Sequence, residues 1–179
     1  MWPRRGKRET ESGAPGATVG LRSKILSLDP ATVGLHPTAE LPRVWGVLME
    51  MGFPDGAATI VSLADGTTSL YTSEGGGVIG GGEHAPVAAA SRRFLAEAES
   101  TEAELSPAVS ADVKLPPAGV VSFVVLGYSG TQIGAADEDD LASMQHPLSH
   151  LYAAGQDVIT ALREAEQSRN FWEGSAKHS

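Results

Sequence analysis

Ala57-Ala58-Thr59-Ile60-Val61-Ser62-Leu63-Ala64 runs through Asp65-Gly66 into Thr67-Thr68-Ser69-Leu70-Tyr71-Thr72-Ser73. Two β-prone runs joined by Asp-Gly form the strongest short-range hairpin signal, because Asp and Gly tolerate the backbone angles that a tight turn requires. A second pair lies downstream. Gly119-Val120-Val121-Ser122-Phe123-Val124-Val125-Leu126 is almost continuously apolar, as expected of a strand buried on both faces. Gly127-Tyr128-Ser129-Gly130 turns it into Thr131-Gln132-Ile133-Gly134-Ala135-Ala136.

Helical patterns surround and separate the two hairpins. Val44, Val47, Leu48 and Met51 fall at i, i+3, i+4 and i+7, which predicts a helix from about Pro42 to Met51, stopped by Gly52 and Pro54. Trp45 flanks that stripe, and Gly46 inside it implies a close packing neighbour. Pro86 opens a helix over about 85–98, with Val87, Ala90, Phe94, Leu95 and Ala98 facing inward. Leu148, Leu151, Tyr152, Gly155, Ile159 and Leu162 predict a last helix to about 166. Val113-Lys114-Leu115 reads as a short edge strand. The order α-ββ-α-ββ-α gives an α+β fold, an antiparallel sheet of two hairpins with helices packed on it. The absence of a βαβ repeat argues against a Rossmann fold.

The chain of 179 residues has a net charge of −9, unevenly placed. Residues 1–24 hold Arg4, Arg5, Lys7, Arg8, Arg22 and Lys24 against Glu9 and Glu11, a +4 segment that leaves −13 for the rest. A body this acidic disfavours nucleic acid, since phosphate contacts need clustered cations. The basic arm can touch an acidic surface, its own body included, but the simpler expectation is a solvated tail. The organisation expected is a disordered arm over 1–20, an extended lead-in over 21–40, one domain over 41–166 and a frayed tail over 167–179. With no cysteine, disulfides, thiolate metal sites and a cysteine nucleophile are excluded. No apolar run is long enough for a membrane span, and no apolar stretch follows the basic N-terminus as a secretory signal requires. The expectation is a cytoplasmic protein with no membrane contact.

Ser73-Glu74-Gly75-Gly76-Gly77-Val78-Ile79-Gly80-Gly81-Gly82-Glu83-His84 is the one stretch that hints at chemistry. Glycine N–H groups before a helix can hold an anion, which makes Gly76, Gly77, Gly80, Gly81, Gly82 and His84 candidate ligand-binding residues. No Gly-Lys-Ser/Thr follows, so this is not a Walker A loop, and Glu83 would repel an anion. The competing and preferred reading is a place where a sheet edge and a helix approach within a backbone's width, with positive φ at several of Gly75 to Gly82. Glu83-His84 with Asp137 to Asp140 could serve as metal or acid–base groups, but the acids are better read as charges favoured at a helix start. His146 and His150 are four apart with Pro147 between them, and are read as bordering the last helix. Ser129 lacks the Gly-x-Ser-x-Gly spacing and the following helix of a nucleophile elbow. No catalytic residue, metal ligand or cofactor is therefore assigned. Trp45, Tyr152, Phe171 and Trp172 are the candidate interface residues.

The order of elements, and Asp65-Gly66 at the first hairpin, resemble the roadblock/LC7 domains of the profilin-like group over residues 40 to 166. The resemblance implies a non-catalytic homodimer acting as a scaffold or as a regulator of small GTPases. Ser69-Leu70-Tyr71-Thr72-Ser73 followed by Gly-Gly-Gly is also similar to bacterial proteins, a likeness that implies nothing functional. Two functions are carried forward: a protein-interaction domain, and an enzyme or small-molecule domain that holds an anionic ligand in the Gly75–Gly82 loop.

Overall fold

The computed structural model describes residues 15–110 and 112–176, with side chains described outside 15–19, 78–79 and 170–176. The protein is α+β. One antiparallel sheet takes β1 (Val44–Phe53), β2 (Gly56–Leu63), β3 (Thr68–Thr72), β4 (Gly77–Ile79), β5 (Ser106–Pro107), β6 (Val120–Gly127) and β7 (Gly130–Asp137) in the order β4-β3-β2-β1-β6-β7-β5. Four α-helices accompany it: α1 (Pro15–Leu26), α2 (Ala85–Thr101), α3 (Glu138–Ala142) and α4 (Ser149–Ala176).

Both hairpins form where the sequence places them. In the first, Ala58 pairs with Thr72 and Ser62 with Thr68. Its turn is closed by Leu63 N–H donating to Thr67 O at 2.9 Å, and by Thr67 N–H donating to the Asp65 carboxylate at 2.8 Å. In the second, Gly127 pairs with Gly130 across Tyr128-Ser129. The inward face expected of α2 is buried in full: Val87, Ala90, Phe94, Leu95 and Ala98.

The predicted helix over Pro42–Met51 is instead β1, the middle strand, buried from Val44 to Gly52. A continuous apolar run contains the helical spacing and the strand alternation together, so periodicity cannot separate them. Gly52-Phe53-Pro54-Asp55-Gly56 does not stop a helix but turns β1 into β2, with Phe53 paired to Gly56. Gly46 stands between strands: a Cβ there would lie 2.7 Å from Leu63 Cδ2 and 3.1 Å from Leu126 Cδ1.

The edge strand expected at Val113–Leu115 is absent, and β5 takes that role by pairing with Ile133 and Gln132 of β7. Residues 1–14 of the basic arm lie outside the described residues. From Pro15 the chain is helical, so 15–26 is α1 rather than a solvated tail or an extended lead-in, and Pro30–Val33 adds a 3-10 turn capped by Asp29. The expected frayed tail is helical through Ala176.

The sheet separates two cores. On the inner face, α2 and α4 cover Val47, Met49, Met51, Ile60, Phe123 and Val125. On the outer face, Ile25 and Leu35 from the N-terminal segment pack over Trp45, Leu48, Val61, Leu63, Tyr71, Val124 and Leu126. The alternation of side chains along each strand sends these two sets to opposite faces.

Candidate functional site

The glycine run joins β3 to α2 through β4 and a 3-10 turn at Gly81–Glu83. Gly75, Gly76, Gly77 and Gly80 all have positive φ, as the sequence reading expects. Its next two glycines are set by contact. A Cβ at Gly81 would fall 2.1 Å from Leu162 Cδ2 of α4, and one at Gly82 would fall 1.9 Å from the Gly66 carbonyl oxygen. The run is thus packed between the first hairpin turn and α4. Two backbone donors are also committed: Gly75 N–H to Thr72 O and His84 N–H to Gly81 O. His84 is the exposed N-cap of α2.

The other residues singled out by sequence lie apart. Trp45 is 4% exposed, and its indole N–H donates to Gly127 O at 3.2 Å, so it fills the outer core instead of offering a surface. Tyr152 is half-buried on α4, and its hydroxyl donates to Glu138 Oε1 at 2.8 Å. Burial and that Glu138 partner push its phenol up to about 12. Phe171 and Trp172 belong to the last turns of α4, with side chains outside the described residues. Asp137 is the N-cap of α3, and Glu138, Asp139 and Asp140 occupy its first turn. His146 borders α4 by accepting from Leu148 N–H at Nδ1, 3.1 Å. Among the described residues no group of His, Asp and Glu is placed to hold a metal, and no helix is long and apolar enough to cross a membrane.

Sequence reasoning missed a charged cluster in the outer core. Glu50, in the middle of β1, is 0% exposed. Arg22 of α1 grips it as a two-pronged fork, Nε to Oε1 at 2.6 Å and Nη2 to Oε2 at 2.9 Å. Ser122 Oγ stands 3.5 Å from Oε2. Tyr71 is 3% exposed beside them, with Thr59 as a neighbour of its hydroxyl. Burial and then the Glu50 charge push its phenol upward, with Arg22 opposing. A lone acid in the apolar run Val47-Leu48-Met49-Glu50-Met51 was the available signal, since an acid in a central strand needs a buried partner.

Next to this cluster a groove of about 550 Å³ lies between the 109–117 loop and the outer side of β6 and β7. Val113, Leu115, Pro116, Pro117 and Ile133 give it apolar walls, and Ser122 joins it to the Glu50 cluster. Val109 and Leu115 on its rim are exposed. The volume falls within the range of ligand and anchor pockets.

A second ion-pair cluster is structural. Glu99 at the end of α2 accepts from the N–H groups of Arg43 and Val44 and from Arg43 Nε. Burial pushes its carboxyl up, but the Arg43 side chain and the two backbone N–H groups outweigh that and hold it below the ordinary value. It thereby fastens the start of β1 to α2.

Comparison of the chain with protein-family models, with curated proteins and with solved structures finds no match.

Proposed function

We propose that this chain is a non-catalytic protein-interaction domain that works as a cytoplasmic homodimer, with the groove beside β6 and β7 as its contact face. One observation carries this reading: the groove of about 550 Å³ has apolar walls and an exposed apolar rim at Val109 and Leu115. Exposed apolar surface around a groove is the mark of a contact site, whereas catalysis needs a nucleophile, base or metal held in mutual reach. The packing of Gly81 and Gly82 supports the same reading, because contacts within the chain account for these two glycines without a ligand. The resemblance of the sequence to roadblock/LC7 domains implies a scaffold or regulatory role.

Light scattering on the purified chain tests the proposal. The expected mass is that of two chains, falling to one when Leu115→Glu places a charge on the groove rim. A single-chain mass across the micromolar range, or a dimer indifferent to Leu115→Glu, contradicts it.

A further inference from the structure

We infer that a cavity beside the first hairpin turn is a binding site for a free amino acid with an apolar side chain. The inference goes beyond the interaction-domain reading and concerns a different part of the molecule. The cavity measures about 360 Å³, in the lower part of the range of small-molecule sites. Four pieces distant in sequence line it: the connector before β1, the turn between β2 and β3, α2 from Ala88 to Leu95, and Tyr128 between β6 and β7. Leu41, Leu63, Ala88 and Leu95 supply apolar lining, and Leu63 and Leu95 are buried.

Charge decides the ligand. Arg92, Glu40 and Asp65 line the same cavity, and none of the three is in an ion pair among the described residues. Opposite charges that share a cavity without pairing leave room for a ligand that carries both. A simple anion would meet Glu40 and Asp65, and a simple cation would meet Arg92. A neutral apolar ligand would take water from all three and return no partner. An amino acid satisfies the set: its carboxylate suits the planar guanidinium, its ammonium suits the acids, and its side chain covers the leucines. Asp65 is already held in place, since its Oδ1 accepts from Thr67 N–H at 2.8 Å, which leaves its second oxygen for the ligand. Ser91 adds a hydroxyl to the lining. It is 3% exposed, and its Oγ lies 3.0 Å from Thr68 Oγ1, one bond of the three that a serine can make. The same two acids disfavour phosphorylated ligands there.

Isothermal titration calorimetry on the full chain tests the inference, with L-leucine, L-valine, L-methionine and L-phenylalanine as probes. At least one of them is expected to bind in a one-to-one ratio. The matching amine and acid each lack one charge (for leucine, 3-methylbutylamine and 4-methylpentanoate). Both are expected to bind about tenfold or more weakly than the amino acid. Arg92→Gln, and Glu40→Gln combined with Asp65→Asn, are each expected to weaken the amino acid by about tenfold or more. Arg92 and Glu40 are exposed, and Asn at 65 keeps an oxygen for Thr67 N–H, so these variants should fold, which circular dichroism checks. Arg93→Gln, one residue away but outside the lining, is expected to bind as the parent does. No binding of any of the four amino acids up to about 10 mM overturns the inference. So does an amine or acid that binds as tightly as its amino acid, or an equal loss from Arg93→Gln and Arg92→Gln.

Discussion

Arg22→Ala removes the guanidinium fork from Glu50 and leaves a carboxylate with 0% exposure in the middle of the sheet. Breaking a buried ion pair by removing one partner costs about 3–5 kcal/mol, because the remaining charge stays desolvated. The loss has a ceiling. If α1 lifts off, water reaches Glu50, and what is lost is the docking energy of the N-terminal segment. Ile25 and Leu35 are its buried apolar anchors, worth roughly 1.5–3 kcal/mol each before the cost of ordering the chain. The two estimates overlap near 3 kcal/mol. In urea, with a slope of about 2 kcal/mol/M, that lowers the unfolding midpoint by about 1.5 M. Replacing both partners at once, Arg22→Leu with Glu50→Leu, is expected to recover most of the loss, since paired apolar side chains need no solvation. A midpoint change below about 0.3 M for Arg22→Ala, with the double variant no better, would refute the assignment of Glu50 as a charge buried under α1.

Three further outcomes are expected. Gly82→Ala drives a methyl into the Gly66 carbonyl and should cost about 1–3 kcal/mol by thermal unfolding, whereas Gly76→Ala meets open space and bears only the strain of its positive φ, about 1 kcal/mol. Tyr152 has a raised phenol pKa, so it favours the folded state fully below the ordinary value of 10.0 and loses that contribution as pH climbs toward about 12; absorbance at alkaline pH should show late-titrating tyrosines, and Tyr152→Phe should remove one of them. Glu99 is depressed, so its contribution is present above the ordinary value of 4.5 and fades as pH falls below it; Glu99→Gln should flatten the acid limb of the stability profile.

The hairpins and α2 were legible because their signals are local. Asp65-Gly66 sets a turn on its own, and Val87, Ala90, Phe94, Leu95 and Ala98 repeat at the helical period over about three turns. β1 was not legible as a strand, because a segment buried on both faces carries apolar residues at every position and so loses the alternation that distinguishes it. The N-terminal helix was hidden by composition: Pro15, Gly16 and Gly20 read as loop, and only the contact of Arg22 with an acid 28 residues away reveals why the segment is ordered. The positive φ of the glycine run followed from its residues, whereas the contacts of Gly81 with Leu162 and of Gly82 with Gly66 depend on elements distant in sequence. The groove depends on the path of the 109–117 loop, which no periodicity encodes.

The claim that this domain works by binding protein, and not by holding an anion in its glycine loop, is tested most directly by a thermal-shift screen of nucleotides and phosphorylated metabolites against the full chain. No change in the unfolding temperature is expected with any of them. A concentration-dependent rise that Gly80→Ala abolishes, at a position where the added methyl meets open space and bears only the strain of its positive φ, would contradict it.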